Sequence, residues 1–155
     1  MLVLIASLFF FMPVAEFMRL SLFDQALAAA THQAARAAAA DSNNADPTKC
    51  LQSVEDAFQA HRLARWLLDQ NDDGAVDVTA STAWPSGTDE VHVSLMADED
   101  LYDGTEWEVV GACGGSGSWI RLETRIVVQP WSGLVRAMWP DGVRRQRHSW
   151  ARNQA

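Results

Sequence analysis

Residues 1–40 read MLVLIASLFFFMPVAEFMRLSLFDQALAAATHQAARAAAA, and the fold turns on how this stretch is read. From Met1 to Ala15 no side chain is charged, and apolar residues resume after Glu16 with Phe17, Met18, Leu20, Leu22 and Phe23. A bilayer core needs about 20 mostly apolar residues in helix. The stretch from Leu2 to Phe23 reaches that length by including Glu16 and Arg19. Those two stand three apart, so they share a helical face and either neutralise one another or lie near the headgroups. After Asp24 the run QALAAATHQAARAAAA holds neither Gly nor Pro, so one helix should continue to about Ala40. Asp41, Ser42, Asn43 and Asn44 then end it. Ala26, Ala30, Ala34 and Ala38 recur every fourth residue and line one face with small side chains. Such a face suits either the close approach of another helix or packing on the chain's own domain.

A cleaved secretory signal is the competing reading, with small residues near Ala28 to Ala30 as the cleavage site. Against it, no basic residue precedes the apolar run, and that run continues through Glu16 and Arg19 instead of yielding to a cleavage site. Charge is distributed unevenly beyond the helix. Residues 41–120 carry 16 acidic side chains against Lys49, Arg62 and Arg65, whereas residues 121–155 carry seven arginines against Glu123 and Asp141. The formal net charge is −8 and the pI about 4.8, which excludes a general nucleic-acid binder because most of the surface would repel a phosphate backbone. The arginine-rich tail is read as balancing the acidic segment within the fold, or matching an acidic neighbour in an assembly.

The apolar run containing Pro13, the group Glu16, Phe17 and Arg19, then Gln25, and the alanine-rich stretch ending in Ala35, Arg36 and Ala37 together resemble the TadE-like proteins of the tight adherence (Tad, Flp) pilus system. These are pseudopilins, or minor pilins, of the type IV filament superfamily. The resemblance covers about the first quarter of the chain. It implies a single-pass N-terminal helix in the bacterial inner membrane, a periplasmic domain with β-structure, and a non-catalytic role in assembling or initiating a filament. The partners it implies are other pilins and inner-membrane pilus assembly proteins. Members also carry a prepilin-peptidase site and a second glutamate ahead of the apolar run, and neither stands between Met1 and Pro13. On this reading Phe9, Phe10, Phe11 and Phe17 supply apolar contact, Glu16 and Arg19 set depth or register by pairing within or between subunits, and the alanine face packs against a helix.

Past residue 40 the chain reads as an exported α+β domain, 41–155. Asp46-Pro47 is a cap and first turn, and Cys50, Val54, Ala57, Phe58, His61, Ala64 and Leu68 give one apolar face to a second helix ending near Asp69. Period-two alternation marks strands at Val76 to Trp84 and Val91 to Ala97. Three more are read at Trp107 to Ala112, Trp119 to Trp131 and Val143 to Arg152, separated by GGSGS and PDG turns. The expected sheet is antiparallel, with the second helix on one face.

Few motifs carry chemistry. Asp69, Asn71, Asp73, Gly74 and Asp77 follow the order of a calcium loop, but Ala80 stands where a bidentate Glu completes the shell. The plainer reading is an acidic turn, and any calcium site would be weak. Cys50 and Cys113 fit no zinc spacing and read as one disulfide if the chain is exported, or as two buried thiols if it is not. His32, His61, His92 and His148 are scattered and support no metal hydrolase. Core packing accounts for most of the seven tryptophans, with Trp131 and Trp139, beside prolines, as candidates for a contact patch. The leading expectation is therefore a pseudopilin; the alternative is a membrane-anchored or secreted binding module with weak calcium dependence.

Overall fold

The computed structural model describes residues 2–40, 47–61, 76–78, 84–85, 91–98, 108–109, 117 and 119–152. Its spine is α1 (Leu2–Ala40), a 39-residue helix with Pro13 inside it. Proline lacks an N–H, so the Phe9 carbonyl one turn earlier has no helical partner. Helix α2 (Pro47–Ala60) follows. The strands are β1 (Val76–Val78), β2 (Val91–Asp98), β3 (Glu108–Val109), β4 (Trp119–Val128) and β5 (Val143–Arg152), with a short helix, α3 (Gly133–Met138), between the last two. The path across the sheet runs β1-β2-β4-β5, and β3 pairs with β2.

The centre of the sheet is antiparallel, β2 against β4 from Val91↔Ile126 to Asp98↔Trp119, and β4 against β5 from Trp119↔Arg152 to Val128↔Val143. An α+β architecture is thus present, but the expectation of a wholly antiparallel sheet is corrected at its edge, where β1 runs parallel to β2 with Val76 opposite Val91. Parallel neighbours need a crossover of a dozen or so residues, and residues 79–90 supply that length.

Alternation along the strands determines which face meets the helices. Val91 and Val93 of β2, with Ile120, Leu122, Ile126 and Val128 of β4, are buried on one face, joined by Val143 and Ala151 of β5 at its margin. Leu20, Phe23, Leu27, Ala30, Ala34, Ala35 and Ala38 of α1 close over them, and α2 adds Val54 and Phe58 to the same cluster. The alanine face therefore packs on the chain's own sheet and second helix. Absent side-chain bulk lets the α1 backbone approach closely, and the aliphatic residues of β4 fill the space.

Several boundaries differ from expectation. Helix α2 ends at Ala60, where the His61 N–H turns to the Phe58 carbonyl at 3.2 Å; the rest of the expected helix, residues 62–69, lies outside the described residues. Strand β4 stops at Val128, before Pro130, which has no N–H to continue a ladder. Trp84 lies outside any strand. Among the described residues no tryptophan is fully buried: Trp84 and Trp119 are half-buried, while Trp131, Trp139 and Trp150 are exposed. The expectation that most pack in the core is thereby corrected; aliphatic, alanine and phenylalanine side chains, Phe23 and Phe58 among them, fill it instead. Among the described residues no helix is long and apolar enough to cross a membrane.

Candidate functional site

The geometry concentrates where α1 meets the corner between β4 and β5. Along α1 the segment before Leu20 stands clear of the sheet: Phe9, Phe10, Phe11, Met12, Val14, Phe17 and Met18 are all exposed, Phe10 at 80%. Glu16 breaks that pattern, being only 5% exposed. A buried carboxylate is costly unless its oxygens are satisfied, and here they are. Oε1 accepts from the Arg19 guanidinium at 3.0 Å, and both oxygens accept from the Trp131 backbone N–H at 3.2 Å. The Ser132 N–H donates to Oε2, also at 3.2 Å.

Those two N–H groups open α3. Ser132 is its N-cap, with an extended backbone and a hydroxyl that accepts from the Val135 N–H at 3.2 Å. Glu16 therefore satisfies donors just ahead of the helix and sets a negative charge beside its positive end. The Arg19 guanidinium reaches the Gln129 carbonyl at 3.5 Å and lies 3.8 Å over the Trp131 ring. One residue pair thus clamps α1 to the β4–α3 corner through a carboxylate, a cation and an aromatic face.

Sequence reading paired Glu16 with Arg19, and that pair forms. It missed the backbone partners more than a hundred residues away. No helix is expected from the sequence between Trp131 and Val143, although Ser132 ahead of α3 and Pro140 just past it are helix start and stop signals. Gly142, with φ of +83°, then turns the chain into β5, and its N–H donates to the Trp139 carbonyl at 3.1 Å.

Around the clamp lies an apolar surface. Trp131, Leu134, Met138 and Trp139 are each about half exposed or more. An open groove of about 830 Å³ runs from Pro13, Phe17 and Leu20 of α1 to Met138, Trp139 and Arg145. The contact patch expected at Trp131 and Trp139 is therefore on the surface, and it is continuous with the exposed part of α1.

Further along α1, polar pairs hold the docked half in register. The Asp24 carboxylate pairs with Arg147, and His32 Nδ1 meets the Ser149 hydroxyl at 3.0 Å. The Thr31 hydroxyl donates to the Leu27 carbonyl at 2.6 Å and lies 2.9 Å from the Thr124 hydroxyl. With its only hydrogen committed, Thr31 can serve Thr124 only as acceptor. On the far face of the sheet, buried Glu123 pairs with Arg121 and Arg125 and accepts from Gln146. There Arg125 and Arg144 lie over the ring of Trp84.

For the calcium-loop and cysteine residues the side chains fall outside the described part of the chain. Asp69, Asn71, Asp73 and Cys113 lie outside the described residues; Asp77 lies in β1 and Cys50 in α2, with their side chains likewise outside. Among the described residues no group of three or more His, Cys, Asp or Glu could hold a metal ion. No protein-family model matches the chain, and neither the curated proteins nor the solved structures contain a match.

Proposed function

We propose that this chain is a non-catalytic subunit of a pilus of the tight adherence kind, a TadE-like pseudopilin that takes part in assembling or initiating the filament. The observation carrying the proposal is the division of labour within α1. Its first half presents exposed Phe9, Phe10, Phe11, Phe17 and Met18, while its second half, from Leu20, is built into the core of an α+β domain. A helix apolar on all sides has no stable place in water, and a membrane or a bundle of like helices satisfies it. On this reading the domain faces the periplasm and the first half of α1 lies in the inner membrane, then among other pilins.

Cleavage near Ala28 to Ala30 fits the described packing poorly, because it would remove Leu20, Phe23 and Leu27 from the core. The test is the N-terminal sequence and partitioning of the protein made in its own cell from the full upstream reading frame. Recovery of an intact α1 in the inner membrane or in sheared filaments supports the proposal, and a soluble product beginning near Ala30 overturns it. The second reading, a membrane-anchored or secreted binding module with weak calcium dependence, rests on the exposed Trp131 and Trp139 corner. It requires the protein to be absent from filaments and to bind a ligand through that corner.

A further inference from the structure

Helix α3 buries a single residue, Val135, and turns Leu134 and Met138 outward between Trp131 and Trp139. Such a cluster would be expensive to hold in water. Its placement is specific. The groove beside it is walled by Pro13, Phe17 and Leu20, so the cluster sits level with the end of the apolar run of α1. At 1.5 Å per residue, the helix from Leu2 to Met18 is about 25 Å long, approaching the thickness of a bilayer's hydrocarbon core. The cluster thus lies at the height along α1 where a membrane gives way to headgroups, the depth that tryptophan favours.

The charges at that level also have a sign. Exposed Arg136 and half-buried Arg145 flank the cluster, Arg145 lining the same groove, while the Arg144 guanidinium is held over Trp84 on the other face of the sheet. Asp141 is the acid on that rim, while Glu16 is buried and matched by Arg19. A chain of net charge −8 therefore presents a cationic margin around an aromatic patch. Long arginine side chains can lay their stems along apolar surface and carry the guanidinium to phosphate.

We propose that the α3 corner is a second, interfacial membrane contact: Trp131, Leu134, Met138 and Trp139 enter the headgroup layer of a bilayer containing anionic phospholipid, with Arg136 and Arg145 on its phosphates. The inference rests on the reading of α1 as membrane-inserted. It adds that the domain lies against the bilayer instead of standing off on a free stalk, held there by the Glu16–Arg19 clamp.

The experiment places the full chain in vesicles of phosphatidylethanolamine and phosphatidylglycerol, with bromine on acyl carbons just below the headgroup, and reads quenching of tryptophan emission. The expected result is strong quenching that is lost in the Trp131→Phe/Trp139→Phe double variant and weakened when phosphatidylcholine replaces phosphatidylglycerol, while flotation with the vesicles is unchanged. Equal emission with and without bromine, in protein that floats, places the corner in water and overturns the inference, leaving the reading of α1 intact. Failure of the chain to float overturns both. Absence of quenching together with a dimer in detergent that the double variant converts to monomer assigns the patch to a second copy, and also overturns the inference. Should the double variant fail to fold by circular dichroism, Leu134→Gln with Met138→Gln, both exposed, replaces it and is expected to lose the same quenching.

Discussion

Glu16 sits in an otherwise apolar stretch, and its burial has a definite cost and a definite use. Its carboxylate holds one guanidinium and the N–H groups of Trp131 and Ser132, so Glu16→Ala strands a cation and two donors in a half-buried corner. Leaving such groups unpaired costs about 2–3 kcal/mol, and chemical denaturation of the full chain in detergent should show a loss of that order. Glu16→Gln keeps the acceptor oxygen and the shape, and should cost less. Because the clamp joins α1 to the domain, the alanine variant should also raise amide exchange at Trp131 and Ser132 before it affects β5. A second residue-scale test is the Thr31 and Thr124 pair. Either single valine substitution removes a partner from a buried hydroxyl and should cost about 1–2 kcal/mol, whereas the double substitution should cost less than the sum of the two.

At the scale of elements, α1 is two helices in one. From Leu20 onward its alanines meet the sheet, and Ala30, Ala34 and Ala38 are fully buried. Ala34→Leu adds volume where there is none to spare, so denaturation should report a loss of about 1–3 kcal/mol. Phe10→Ala, on the projecting half, should leave the unfolding midpoint of the domain where it is and lower only its partition into vesicles. The contrast measures the division directly. The sheet shows a comparable asymmetry, with aliphatic residues toward α1 and the Arg121, Glu123, Arg125 network on the other face. That network explains how Glu123 can be buried: each oxygen meets an arginine, and Gln146 adds a donor.

For the whole molecule, the core does not belong to residues 41–155 alone. Strands β2, β4 and β5 bury their apolar face against α1, and α2 reaches the same cluster. A chain beginning at Asp41 should therefore lack a folded state in water, giving collapsed amide dispersion by NMR. A chain beginning at about Arg19 should keep the fold while losing the exposed apolar half and, with it, the Glu16 clamp. Vesicle flotation of the full chain beside the one beginning at Arg19 separates the contribution of the projecting helix from that of the α3 corner.

Much of this was legible in local pattern. The charge-free run from Met1 to Ala15, the alanines at every fourth position, the alternation in Val91 to Ala97 and the proline and glycine turns each determine a local conformation or a buried face, because helix and strand periodicity are properties of neighbouring residues. The Glu16–Arg19 pair was visible for the same reason, being one helical turn apart. Other features depend on residues far apart in the chain, and only tertiary structure decided them: that the alanine face meets its own sheet, that β1 joins β2 in parallel, and that the Glu16 carboxylate finds the backbone of Trp131 and Ser132. The physical reason is that a small-residue face or a lone carboxylate states what kind of partner it needs, a close backbone or a set of donors. Which segment supplies that partner follows from packing the whole chain around one core.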